Sequence, residues 1–242
     1  MPDAIFTHPR LAAIYDTFDG DRSDLDLYLG IVEEFRAVHV LDVGCGTGTL
    51  PLLLAARGKR VTAVDPAEAS LDVARTKTDE VTWILGDATT LPPAMDSADL
   101  ATMTGNVAQV FLDDRDWAAT LRGIHKALKP GGLLVFETRR PERRAWEDWA
   151  RDPGPHRRDV PGVGVVEQRR EVTDVRPPFV SFRYTYTFQG GEGAATVHSD
   201  STLRFRDRQE IMTSLEDNGF TTLDVRDAPD RPGLEYVFIA AR

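Results

Sequence analysis

The chain has 242 residues, 41% of them hydrophobic, a formal net charge of −10 and one cysteine, Cys45. That length supplies one sizeable core, or one core with an elaboration on it. The acidic balance argues against a nucleic-acid partner, the lone cysteine excludes an internal disulfide and a Cys-rich metal site, and no apolar run approaches the roughly 18 residues of a membrane span.

The opening MPDAIFTHPR lacks a basic-then-apolar signal pattern, so a cytoplasmic protein is expected. Residues 9–35 read as two helical pieces broken at Asp19-Gly20-Asp21. Ser23 suits the N-cap of the second piece, whose apolar face is Leu25, Leu27, Tyr28, Ile31, Val32 and Phe35. From Val38 the pattern alternates, with strands expected at 38–43, 60–64, 81–85, 98–103 and 132–138. Helices fall near 48–57, 67–78 and 114–128, the last stopped by Lys129-Pro130-Gly131-Gly132. Such alternation implies right-handed βαβ units and a parallel sheet covered on both faces.

The pattern then changes. Arg140 to Pro161 is rich in Arg, Asp and Pro and holds Trp146 and Trp149. Segments 163–175, 178–189 and 194–206 alternate apolar and polar residues, with Gly190-Gly191 between two of them, as in an antiparallel meander. A helix should run from Asp207 to Asn218-Gly219, and final strands from Phe220 to Val225 and from Glu235 to Ala240. The expected organisation is a helical unit over 1–36, an α/β unit over 37–139 and 207–242, and a β-rich insertion over 140–206. Charge separates these parts: Arg139 to Arg208 contains 14 Arg, no Lys and 11 acidic residues, a formal +3, against −13 for the remainder.

The segment Val40–Leu50, VLDVGCGTGTL, carries the strongest chemical signal. Gly44, Gly46 and Gly48 form a G-x-G-x-G turn after an apolar strand, where missing side chains admit close approach of a ligand. A dinucleotide fingerprint would place glycine where Thr49 stands. Asp65 ends the second strand 21 residues after Gly44, and its carboxylate can accept both ribose hydroxyl hydrogens of a nucleoside. That test alone does not separate a nicotinamide cofactor from another adenosine ligand. Plainer readings stand beside these: Cys45 as a small filler, Asp65 as a turn residue before Pro66, Asp87 as a cap and Asn106 as a turn former. His8 reads as a helix start, His39 as structural, His125 as solvated, and Gln109 as either a substrate contact or a surface amide.

With Asp42 preceding its glycines, this segment resembles the class I S-adenosylmethionine (SAM) methyltransferases, whose first motif is acidic-x-G-x-G-x-G. The phrase LKPGG before the fifth strand is also similar to that family. The resemblance implies a doubly wound, mostly parallel seven-stranded sheet with an antiparallel β insertion and an N-terminal helical lid. It implies SAM as cofactor and S-adenosylhomocysteine as product. Cofactor contacts carried over are Gly44, Cys45 and Gly46, Asp65 and Pro66, Asp87 and Ala88, and Thr104-Gly105-Asn106. In the lid, Tyr15 would cover the cofactor and Arg22 would pair with its carboxylate.

Substrate choice is expected in the insertion, where Trp146, Arg183, Tyr184, Tyr186 and His198 are the polar-aromatic candidates. One strand face points inward, so about half of them should be packing or surface residues. The +3 of this segment suits an anionic acceptor or a solvated arginine surface alike. The reading is metal-independent in-line methylation of a small-molecule acceptor at nitrogen or oxygen, with no nucleic-acid or membrane partner. No H-E-x-x-H or paired C-x-x-C is present, and no catalytic base is assigned. The alternatives are a nucleotide-dependent Rossmann oxidoreductase, disfavoured by Thr49, and a non-catalytic SAM-binding protein.

Overall fold

The computed structural model describes residues 2–92, 97–152, 154–189 and 193–242; the Gly190-Gly191 turn lies outside them. Its strands are β1 (His39–Val43), β2 (Arg60–Asp65), β3 (Val81–Leu85), β4 (Ala98–Met103), β5 (Leu128–Arg139) and β6 (His156–Val160). They continue with β7 (Gly164–Arg176), β8 (Phe179–Phe188), β9 (Ala195–Arg204), β10 (Thr221–Arg226) and β11 (Glu235–Ala241). The helices are α1 (Ala4–Thr7), α2 (Pro9–Ala12), α3 (Tyr15–Asp19), α4 (Asp26–Glu34) and α5 (Thr49–Ala55). Then come α6 (Glu68–Arg75), α7 (Asp114–Ala127), α8 (Ala145–Arg151) and α9 (Arg208–Asp217).

Seven strands form one sheet in the order β10-β11-β5-β4-β1-β2-β3. Strands β1 to β5 are mutually parallel, while β11 runs antiparallel to both β5 and β10. Connections leave β1 toward β2 and β3 and then return to β4, so the winding reverses between β1 and β4. At such a reversal the helices diverge and leave a crevice outside the strand ends. One sheet face packs on Trp117, Leu121 and Ile124 of α7 and on Ile211 and Leu215 of α9. The other packs on Tyr28, Ile31 and Val32 of α4 and Leu54 of α5. Strands β1 and β2 are buried at every position but Arg60 because both faces are covered.

The small sheet is a pure antiparallel meander, β6-β7-β8-β9. Strand β6 was not expected, since only Val160 of HRRDV is buried and no apolar alternation marks it. Helix α8 lies in the Arg-, Asp- and Pro-rich stretch 140–161, for which no element was expected. Within residues 9–35 the break falls at Gly20 as expected, but the first piece divides into α2 and α3; α1 precedes them. Ser23 does not cap α4: its N–H and hydroxyl both go to Asp21, and residues Ser23–Leu25 form a 3-10 turn instead. LKPGG lies inside β5 as an irregularity, because Ala98 pairs with Leu128 but Leu100 already pairs with Leu133. Asp207 caps α9 in a reciprocal box with Glu210.

Candidate active site

The glycine turn is shaped by φ values that side chains resist: +78° at Gly44, +53° at Gly46 and +84° at Gly48. The three positions differ in what surrounds them. A Cβ on Gly48 would meet the Trp83 ring at 2.5 Å, and one on Gly44 would meet Val107 at 2.7 Å. One on Gly46 would meet nothing within 4 Å. Gly44 and Gly48 are therefore demanded by packing, whereas Gly46 borders open space. Asp65 holds the turn: its Oδ2 accepts the Gly46 N–H and its Oδ1 the Ala67 N–H, both at 2.8 Å. Pro66 between them is exposed.

Two buried carboxyls flank this space. Asp42 accepts the Thr102 hydroxyl at 2.6 Å, and burial pushes its pKa up to about 7 with help from the nearby Asp65 charge. Burial also raises Asp65, against the two backbone N–H bonds that lower it. Burial moves the Cys45 thiol well above its usual range, leaving no reactive thiolate. Asp87 is exposed and its Oδ1 accepts the Thr89 N–H and hydroxyl, so one oxygen caps the local turn. Ala88 is buried under α7's packing.

Beyond β4, Thr104 is half-buried, Gly105 is exposed and Asn106 is buried in the left-handed region, φ +62°. Asn106 donates its N–H to Glu137 Oε1 at 2.5 Å and its Nδ2 to Glu235 Oε1 at 3.0 Å, while its Oδ1 has no partner. Glu137 also receives the Tyr28 hydroxyl, and burial together with the neighbouring Glu235 charge pushes its pKa up to about 7. Arg231 donates to Glu235 Oε2 at 2.6 Å. Gln109 is fully buried, correcting the surface-amide reading, and its Oε1 accepts Arg139 Nη1 at 2.9 Å. Sequence reasoning missed this network. One signal was available: Glu137 interrupts the apolar run LLVFET, and a charge in a doubly covered strand needs partners.

The N-terminal helices reach the glycine turn. Asp16 accepts the Thr47 hydroxyl at 2.5 Å and Lys77 Nζ at 2.6 Å, and Lys77 also donates to Thr47 O. Tyr15 packs on Phe6, and burial raises its pKa, with Asp19 adding to the effect. Arg22 is already engaged by Asp19 at 2.6 Å and Asp24 at 2.9 Å. Leu11 and Ile14 share an apolar cluster with Val160, Val166, Tyr186 and Phe188 of the small sheet.

Strand alternation sorts the insertion candidates. Tyr184 and Tyr186 lie on the inner face with Phe182 and Val180. Arg183 and His198 lie on the other face, where Arg183 pairs with Asp200 at 2.7 Å and His198 with Thr185 at 3.0 Å. Grouping them with Tyr184 is thus corrected by the period of two. Trp146 is buried edge-on against Phe205, 4.9 Å between rings, as packing. His125 packs against Phe220 rather than standing in solvent, and His8 accepts the Arg10 N–H as a helix cap. His39 bonds Thr62 at 3.0 Å as a structural residue. Among the described residues no helix is long and apolar enough to cross a membrane, and no group of three or more His, Cys, Asp or Glu could hold a metal ion.

Residues 40–132 match a family described as a methyltransferase domain. A malonyl-[acyl-carrier protein] O-methyltransferase from Serratia marcescens is 28% identical over 215 residues, covering 88% of this chain and 76% of that protein. The sugar N-methyltransferase KedS8 from Streptoalloteichus sp has the same fold, with a TM-score of 0.79 at 19% identity over 94% of this chain and 92% of that one. SAM-bound CalS10 from Micromonospora echinaspora, an amino pentose methyltransferase, superposes with a TM-score of 0.69 at 21% identity, over 91% and 92% of the two chains. Together with the seven-stranded order and the glycine turn, these findings support a class I SAM-dependent methyltransferase.

Proposed function

We propose that the chain methylates nitrogen or oxygen of a small-molecule acceptor, held between the strand ends, the N-terminal helices and the small sheet. The observation that carries this reading is the apolar cluster joining Leu11 and Ile14 to Val160, Val166, Tyr186 and Phe188. It ties the α2–α3 region to the small sheet, while Asp16 ties the same region to the glycine turn. A roof fastened on both sides suits a small acceptor better than a polymer. In this reading residues 1–36 are the lid, 37–139 and 207–242 bind the cofactor, and 140–206 serve the substrate side.

The residues present fit SAM. Gly46 offers open space, and two buried carboxyls, Asp42 and Asp65, suit a ligand bearing positive charge and hydroxyl hydrogens. When bound, SAM supplies an activated methyl that an acceptor lone pair displaces in line. Asp65 would orient the ribose, Asp87 Oδ2 and the Ala88 backbone the adenine, and Thr104-Gly105-Asn106 the methionine end. Tyr15 would exclude water, and Arg22 would meet the ligand carboxylate with donors not taken by Asp19 and Asp24. The Serratia relative is an O-methyltransferase by name and KedS8 a sugar N-methyltransferase, so the methylated atom is tested directly. Methyl-labelled SAM, offered with panels of small amines and hydroxyl compounds and with RNA and DNA, should label small molecules alone. Label confined to nucleic acid would overturn the reading.

A further inference from the structure

Buried hydrogen-bond donors nearly always find acceptors. Beside the end of β5 two do not. Gln109 Nε2 is fully buried with no partner, although its Oε1 accepts Arg139 Nη1. The carboxylate nearest Arg139 is Glu235, 3.9 Å from Nε, and Arg231 holds that carboxylate at 2.6 Å. Arg170 Nε is also buried and unpartnered, although Nη2 reaches Asp152 at 3.4 Å and Nη1 reaches the Tyr184 hydroxyl at 3.5 Å. Trp149 links the two guanidiniums, its ring 5.2 Å from Arg139 Cζ and 5.5 Å from Arg170 Cζ. Asn106 Oδ1 is the one unmet acceptor among the neighbouring groups.

We infer that the acceptor is anchored here through a carboxylate, received by Arg139 and the Gln109 amide with Arg170 alongside, its apolar body lying against Trp149 and Tyr184. This rests on the acceptor site proposed above. A guanidinium fork and a side-chain NH₂ together match the planar oxygens of a carboxylate. Charge points the same way. Arg139 and Arg231 face Glu235 and Glu137, and Glu137 titrates near neutrality because burial raises it to about 7. The group therefore carries an excess of up to about one positive charge, which a monoanion balances and a phosphate dianion overshoots. Arg170 adds little net charge, since Asp152 pairs with it and with His156.

The test uses the full chain saturated with S-adenosylhomocysteine and three probes built on one phenyl ring: benzoate, its planar neutral isostere benzamide, and phenyl phosphate. Calorimetry should show benzoate binding roughly tenfold or more tightly than benzamide, as a charge-assisted contact implies. Arg139→Gln should abolish that preference while S-adenosylhomocysteine affinity is retained, and Arg139→Lys should keep part of it. Gln109→Leu, similar in volume, should weaken benzoate selectively and serves should Arg139→Gln not fold. Arg183→Gln, on the outer sheet face, should match wild type. Equal binding of benzoate and benzamide, preference for phenyl phosphate, or a benzoate preference that survives in folded Arg139→Gln would overturn the inference. Failure of wild type to bind S-adenosylhomocysteine would overturn the site reading beneath it instead.

Discussion

Asp65 Oδ2 accepts the Gly46 N–H at 2.8 Å while Oδ1 accepts the Ala67 N–H, so one carboxylate fastens the glycine turn to the end of β2. The side chain proposed to bind ribose thus also builds the site. Asp65→Ala should therefore lower both affinity and stability. Each lost bond to the charged group is worth roughly 1.5–3 kcal/mol before compensation. Calorimetry with S-adenosylhomocysteine should show at least about tenfold weaker binding. Unchanged affinity would remove Asp65 from the cofactor site.

Gly46 and Gly48 should separate binding from folding. Gly48→Ala forces a Cβ toward the Trp83 ring from a φ of +84° and should cost about 1–3 kcal/mol of stability. Gly46→Ala has room for its methyl and bears only the left-handed backbone cost, about 1–2 kcal/mol. It should nevertheless weaken cofactor binding the more, because the methyl occupies the open side. Denaturant melts and calorimetry on both variants check the contrast; equal effects on both readouts would remove it.

Glu137 should make stability fall as pH rises. Its folded pKa, about 7, lies above its ordinary value of 4.5, so the folded chain holds a proton that the unfolded chain releases. That contribution is complete below about pH 4.5 and is lost as pH rises through about 7. Asp42 adds the same sign between 3.8 and about 7. Glu137→Gln keeps an acceptor for the Asn106 N–H and removes the titration. Its melting temperature should gain on wild type between pH 5 and 8, and parallel profiles for the two proteins would refute the assignment.

Asp16 should govern exchange more than stability. Its bonds to Thr47 and Lys77 cross from the N-terminal helices to the glycine turn, but its side chain is 44% exposed. Solvent screening limits such a contact to about 1 kcal/mol or less. Asp16→Ala should leave the melting temperature nearly unchanged and speed S-adenosylhomocysteine release in stopped-flow traces. An unaltered off-rate would mean that the latch does not gate the site.

The two sheet faces provide a further contrast. Tyr184→Phe removes the hydroxyl 3.5 Å from Arg170 and should raise KM for the acceptor without altering cofactor affinity. His198→Ala, on the opposite face, should leave turnover as it was. A loss of activity in His198→Ala would contradict the placement.

Much of the α/β unit was legible because its signals are local. The apolar runs of β1, β2 and β4, the glycines of the turn and the Asp207 box each act within a few residues. Strand β6 and helix α8 were not legible. Strand β6 lacks an apolar face and is fixed by its ladder to β7; α8 has one turn's worth, Trp146 and Trp149, whose packing on Phe205 fixes it from afar. Arg183 and Tyr184 show the same limit at the site. Adjacent in sequence and alike in chemical promise, they were separated by a pleat that sends neighbours to opposite faces.

The sequence by itself determined the methyl donor's family and the place of its turn, since Gly44, Gly46, Gly48 and the following Asp65 are a short-range backbone pattern. Only the tertiary structure decided which polar groups keep company around the other ligand. Glu137 and Arg139 of β5, Asn106 and Gln109 of the segment after β4, Trp149 of α8 and Arg170 of β7 come from four stretches far apart in sequence, and burial gives meaning to their unmet hydrogen bonds. No spacing in the chain encodes that, because such contacts exist only when β5, the loop after β4 and the small sheet fold together.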